Sequence, residues 1–376
     1  MAAAPVRAAP VRAEWVKRLA RECGFELAGV AAADPPEDFA RYQAWVAGGM
    51  AGEMRYLTDR RAEVRRDVRS LLPAARSVIC VGKLYHRPPE SPPEGHGLVS
   101  QYAVGADYHD ALRAGLENLA QRLLQSVSFE YKICVDTAPL LERTFARQAG
   151  LGWIGRNTCL INEPMGSWFY LGELITSLEL EPDSPPPDRC GTCTRCIQAC
   201  PTDAIVPLKQ PRPPAESGGE PSSTVWTLDA RRCISYFTIE LRGAIPEAYR
   251  AGIGNHIFGC DICQDVCPWN TRAPFVPAAD ATPAEPLSLP LDECASLSES
   301  EFREKFKASS MTRTKYAGFL RNVAVAMGNA GLERFREPLQ RLANHPDPVV
   351  AEHARWALRR VAALPETTPT TDQTGE

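Results

Sequence analysis

Cys190-Gly191-Thr192-Cys193-Thr194-Arg195-Cys196-Ile197-Gln198-Ala199-Cys200-Pro201 decides what the chain must fold around. Its spacing, C-x2-C-x2-C-x3-C-P, is that of bacterial ferredoxins, in which thiolates hold a 4Fe–4S cluster and the fourth cysteine ligates a second one. A second cluster needs cysteines of its own downstream. Cys260-Asp261-Ile262-Cys263-Gln264-Asp265-Val266-Cys267-Pro268 is one cysteine short of a full run, and Cys233 between the two runs makes up the number. The ferredoxin crossing pairs Cys190, Cys193 and Cys196 with Cys267, and Cys233, Cys260 and Cys263 with Cys200. C-x2-C pairs also build structural zinc sites. Zinc accounts neither for a four-cysteine run ending in Cys-Pro nor for its near-duplicate. The radical-generating C-x3-C-x2-C spacing is absent, so the clusters are expected to relay electrons.

With 376 residues, 44% of them apolar and 23% charged, the chain has room for two or three domains and an ordinary globular core. The thirteen cysteines do not make it a disulfide scaffold, since that class is short and secreted. The remaining five (Cys23, Cys80, Cys134, Cys159 and Cys294) are scattered and suit reduced thiols. The N-terminus has neither an apolar signal region nor twin arginines, and no stretch reaches the ~18 apolar residues of a membrane span. A cytoplasmic, monomeric protein without a membrane partner is expected. Net charge is −4, yet residues 301–360 carry 12 Lys/Arg against 6 Asp/Glu, a local excess of +6.

Working outward, apolar spacing predicts helices over 14–23, 38–47, 107–124 and 140–148, and buried strands over 25–31, 77–84, 131–135 and within 168–180. Residues 88–97 read as a Pro/Gly-rich loop. Of the arginines between 50 and 69, most are expected on a solvated face. The order of strands and helices implies an α+β protein in four parts. These are an α/β domain over 13–181, a ferredoxin-like double-cluster domain over 182–275, a HEAT-like helical module over 291–363 and a disordered tail over 364–376. Residues 1–12 read as a disordered arm, and 210–223 as a polar insert.

Electrons need a terminus, and neither a G-x-G-x-x-G dinucleotide loop after a strand nor a P-loop is present. Asp136 ends a buried strand. It reads either as a proton donor whose pKa burial has raised or as a carboxylate capping the next helix. The glycines of 150–155 suit close approach of a large flat ligand, or a helix C-cap at Gly150. Asp107-Tyr108-His109 begins a D-x-H-x-x-G cobalamin signature, but Leu112 replaces its glycine, so His109 is expected to be structural.

Several blocks together resemble the epoxyqueuosine reductase family across residues 13–363. They are Val135-Asp-Thr-Ala-Pro, Gly150-Leu-Gly-Trp-Ile-Gly-Arg-Asn-Thr, Gly166-Ser-Trp, Cys190 to Ile205, Cys233-Ile-Ser-Tyr-Phe-Thr-Ile-Glu and Gly259-Cys-Asp-Ile-Cys-Gln-Asp-Val-Cys-Pro-Trp-Asn. The resemblance implies a cobalamin bound base-off, with no protein histidine on cobalt, and reduction of the epoxide of epoxyqueuosine at the tRNA wobble position. It implies Asp136 as proton donor and Arg65, Ser100, Asn157, Leu160 and Leu171 along the corrin. Ser235 and Asp261 would then lie between the second cluster and cobalt. It also implies an external low-potential electron donor, and the basic C-terminal helices suit tRNA phosphates. Gln101 departs from the basic residue that the family pattern has before Tyr102. The alternatives are a reductive dehalogenase, which usually carries an export signal, and a ferredoxin-type carrier, which needs no α/β half.

Overall fold

The computed structural model describes residues 11–208, 225–276 and 287–363. The predicted insert 210–223 and tail 364–376 lie outside the described residues, as do residues 1–10 of the arm. Ser77–Leu84 is the central strand because its apolar residues point alternately to both faces. Ile79 and Val81 pack with Val16, Leu19, Leu112, Leu116, Leu119 and Leu123 of the helices Ala13–Glu22 and Tyr108–Leu124. Val78 and Cys80 face the other way, against Phe145 and Ala146 of the helix Glu142–Gln148. The strand pairs on one side with Leu27–Ala32 and on the other with Phe169–Thr176, which in turn pairs with Tyr131–Cys134. Every pairing is antiparallel. The N-terminal part is thus an antiparallel sheet between helices rather than a parallel α/β unit.

The segment read as a loop over 88–97 ends in a strand, His96–Val99. It pairs in parallel with His256–Phe258 and antiparallel with Ser288–Pro290, partners that a local reading does not see. The apolar core that begins at Val99 runs through Ile234, Phe237, Ile257 and Phe258 into the C-terminal helices at Phe319, Val323, Leu339 and Val350. Those helices are Tyr316–Ala330, Arg336–Ala343 and Pro348–Ala363. Asp347 starts the last of them by accepting the N–H groups of Val349 and Val350 at 2.8 and 3.3 Å. Among the described residues, no helix is long and apolar enough to cross a membrane.

One buried cation ties this core to the cysteine region. Arg321, 0% exposed, donates to the carbonyls of Leu241 and Gly243 at 2.8 Å each, to that of Phe237, and to Asn322 Oδ1. Burial lowers its pKa to about 10, so it stays charged at neutral pH. Arg321→Met would strand these acceptors in an apolar core. We expect a loss of about 3 kcal/mol in urea unfolding, together with weaker iron retention, because the anchored helix Ile234–Ile239 follows directly on Cys233.

Candidate active site

Short helices and the turns beside them carry the cysteines. Cys196 lies in Arg195–Ala199, with Cys200 just after it, and Cys263 lies in Ile262–Asp265. Cys190, Cys193, Cys196 and Cys267 line one cavity of ≈ 240 Å³. Cys200, Cys233, Cys260 and Cys263 line another of ≈ 330 Å³. Each run therefore sends its last cysteine to the other run's cavity. Burial, and then the charges of Cys267, Cys190 and Cys193, push the Cys196 thiol up to about 11. In the second cavity, burial, with the charges of Cys233, Asp261 and Cys200, pushes Cys260 up to about 12. Thiols so placed ionise when a cationic group replaces the lost hydration. Among the described residues no three His, Cys, Asp or Glu converge on a single ion.

The second quartet forms one wall of a larger cleft. Ser100, Asn157, Leu160, Leu171, Ser235 and Asp261 line the same cavity. A neighbouring cavity of ≈ 430 Å³, lined by Arg65 and Asp136, shares Arg143, Thr158 and Leu228 with it. A third, of ≈ 310 Å³, shares Asp136 and Tyr56 with the second and Tyr102 with the first. The residues named from sequence line cavities that share walls: six of them the first, and Arg65 and Asp136 the second.

Local hydrogen bonds fix several of these side chains. Ser100 Oγ donates to Asp261 Oδ1, and the Gln101 N–H donates to Asp261 Oδ2 at 2.7 Å. Burial still raises the Asp261 pKa, against both of those bonds. Gln101 is itself buried, and its Oε1 accepts the Arg87 N–H at 2.9 Å, so it faces protein. Asn157 Nδ2 donates to the Cys263 carbonyl at 3.3 Å, which ties the cleft wall to the second quartet. Arg65, unlike the arginines around it, is only 6% exposed and donates to the Arg61 carbonyl at 3.0 Å.

The glycine turn works differently from the reading of it as a ligand cradle. A Cβ at Gly152 would stand 2.2 Å from the Ile161 carbonyl oxygen, and one at Gly155 would stand 2.5 Å from Ile161 Cδ1. These glycines admit the neighbouring strand Leu160–Ile161, which pairs with Trp153–Ile154. Gly150, at φ +77°, ends the helix Glu142–Gln148.

Asp136 sits at the tip of the turn after Tyr131–Cys134 with φ +44°, in the left-handed region. His109 Nε2 lies 3.2 Å from its Oδ2 while His109 Nδ1 lies 2.6 Å from Asp107, and Arg313 stands 3.7 Å from the same Oδ2. Burial alone would raise the Asp136 pKa, as the sequence reading expected. His109 and Arg313 outweigh it, and the net shift is downward. The same contact with Asp136 leads the causes that raise His109. The two shifts are opposite in sign, because the contact favours the charged form of both groups. His109 belongs to the site rather than to the core. Reasoning from sequence also missed Arg143, Arg313 and the tyrosines Tyr56, Tyr102 and Tyr108. No motif marks them, and only folding brings them to Asp136.

The matches to known proteins agree with this geometry. A family model described as a 4Fe-4S double cluster binding domain matches residues 189–270, and one described as Epoxyqueuosine reductase QueG, DUF1730 matches residues 65–137. The epoxyqueuosine reductase of Xanthomonas campestris pv. campestris is 40% identical over 352 residues, covering 91% of this chain and 94% of its own. A crystal structure of epoxyqueuosine reductase with an epoxyqueuosine-modified tRNA-Tyr stem loop superposes with a TM-score of 0.80 at 30% identity, covering 93% of this chain and 89% of the other. The Bacillus subtilis epoxyqueuosine reductase, solved with its aspartate catalytic loop swung out of the active site, gives a TM-score of 0.79 at 29% identity and covers 93% and 90%. At such identity over nearly the whole of both chains, this chain belongs to the epoxyqueuosine reductase family and is an oxidoreductase with a 4Fe–4S double-cluster domain.

Proposed function

We propose that the chain reduces epoxyqueuosine at the anticodon wobble position of tRNA to queuosine, using base-off cobalamin fed by two 4Fe–4S clusters. One cluster is held by Cys190, Cys193, Cys196 and Cys267, the other by Cys200, Cys233, Cys260 and Cys263. The observation that carries this reading is the second quartet's cavity, which shares Arg143, Thr158 and Leu228 with the cavity of Asp136 and has no histidine among its described lining residues. A corrin would be held there by the apolar Leu160 and Leu171 and the polar Asn157 and Ser100, with Arg65 in the adjoining cavity. His109, engaged at both nitrogens, is not free to ligate cobalt, which suits the base-off state. Bound there, cobalamin supplies a strongly reducing cobalt centre beside the second cluster.

Opening an epoxide to an alkene and water takes two electrons and two protons. The clusters that the two quartets would hold would carry these electrons to the cleft from an external low-potential donor. Asp136 passes a proton from His109 to the departing oxygen, and Arg313 helps hold its carboxylate in position. The aspartate catalytic loop of the Bacillus subtilis relative supports the role of Asp136. The stem-loop complex of another relative supports tRNA as the substrate. We assign tRNA contacts to the basic, HEAT-like helices of 291–363, where phosphate binding would weaken steeply with salt. Anaerobic reconstitution with iron, sulfide and cobalamin, followed by reduction of an epoxyqueuosine stem loop, tests the whole reading. We expect retained cobalamin absorbance and queuosine as product; a protein that holds iron but releases cobalamin on gel filtration would overturn it.

A further inference from the structure

The reaction proposed above consumes two protons, while Asp136 carries one at a time. A second carboxyl stands beside it. Glu142, the first residue of the helix Glu142–Gln148, lines the same cavity as Asp136 and Arg65. Its Oε1 is covered and has no hydrogen-bond partner, and the Asp136 backbone N–H is directed at its carboxyl.

Its surroundings keep it neutral. Burial first, then the Asp136 charge, push the Glu142 pKa up to about 8, against Arg143 and His109. Neither cation is committed to it. Arg143 donates to the Thr158 carbonyl at 2.8 Å, and His109 is held between Asp107 and Asp136. On the sheet face that carries this helix, Glu173 is 0% exposed, and both its oxygens lack partners. Cys80 and Cys134 are its neighbours on the adjoining strands, and no cation is among the groups that shift it. Burial, then the charges of Glu142 and Asp136, hold its pKa well above the usual range. An unpaired carboxylate is costly in such a place, so these groups carry protons instead.

We propose that Glu142 is a proton-relay residue that reloads Asp136 within each turnover. The step rests on the reading of Asp136 as donor. Asp136 passes the proton it draws from His109 to the epoxide oxygen as the C–O bond breaks. Glu142 then passes its own proton to the Asp136 carboxylate, and Asp136 delivers it to the hydroxyl that leaves as water. The two electrons come from the clusters, Asp136 ends as the carboxylate it began as, and His109 and Glu142 each take up one proton from solvent, which replaces the two consumed. A helix-capping role alone needs only an acceptor for the Asp136 N–H, which a glutamine side chain also provides.

The test compares Glu142→Gln and Glu142→Asp in enzyme loaded with clusters and cobalamin, turning over an epoxyqueuosine stem loop. Glu142→Gln is expected to lower kcat about 10²-fold with KM and cofactor loading unchanged, and Glu142→Asp to restore most of the loss. Infrared spectra of the enzyme without substrate should show a protonated carboxyl carbonyl band at neutral pH that Glu142→Gln removes. The band tests the state of Glu142 even if Asp136 proves not to be the donor. Wild-type kcat in Glu142→Gln, or an infrared spectrum that this substitution leaves unchanged, would overturn the relay.

Discussion

Asp136→Asn is expected to bind both clusters, cobalamin and the tRNA stem loop as the wild type does and to turn over at least 10²- to 10⁴-fold more slowly, the range that general acid catalysis supplies. The substitution is chosen for its backbone. Asp136 holds φ +44°, a conformation that asparagine tolerates better than most residues, so the turn should survive. Its side chain is 42% exposed, so the new amide is not forced into an apolar core. What is lost is the group that passes a proton between His109 and the substrate oxygen. The pH profile gives an independent reading. His109 is raised above its usual 6.5 and Asp136 is lowered below its usual 3.8, so between those values the pair holds one proton. Turnover should therefore be supported on the acid side of the raised His109 pKa and fall as pH rises through it. That limb should vanish in Asp136→Asn. Wild-type turnover in this variant would remove Asp136 from the chemistry.

The sign of that pKa shift marks where sequence stops being informative. The strand ending at Cys134 and the acid just beyond it are legible because an apolar run followed by a polar residue is a local pattern. The groups that reverse the effect of burial come from other elements. Arg313 lies 177 positions away, and His109 reaches Asp136 because the helix Tyr108–Leu124 packs on the sheet through Leu112 and Leu116. The same distinction separates Ser77–Leu84, read to the residue, from His96–Val99, which is a strand only because residues 256–258 and 288–290 come to lie beside it. Gly152 and Gly155 were legible as places of close approach, but not what approaches. Their partner is Ile161, and the cleft lies elsewhere. Arg65 shows the limit from the other side, since nothing in an arginine-rich stretch distinguishes the buried one from those in water. Cysteines are the exception to this dependence on distance. Ligand spacing is dictated by the inorganic cluster, so the chemistry can be read before the fold is known.

The crossing of the two runs makes a prediction that no uncrossed arrangement shares. If Cys200 belongs with Cys233, Cys260 and Cys263, then Cys200→Ala with Cys233→Ala removes ligands from one cluster only. About half of the iron and of the 4Fe–4S absorbance should remain after anaerobic reconstitution. Cys200→Ala with Cys190→Ala strikes both quartets and should leave almost none. An uncrossed chain, with Cys190, Cys193, Cys196 and Cys200 on one cluster, predicts the reverse for both pairs. Cys267 gives the mirror experiment, in which Cys267→Ala with Cys190→Ala spares the cluster beside the cleft. The two half-loaded proteins should also differ in what they can do. With the cleft-side cluster intact, a small chemical reductant can still feed cobalt directly, and slow turnover should persist. With only the outer cluster intact, electrons stop short of the cleft, and turnover should disappear although the iron content is the same. Equal activity in the two half-loaded proteins would mean that the quartets do not act in series. In that case the cavity containing Cys200, Cys233, Cys260 and Cys263 would not be the last stage before cobalt.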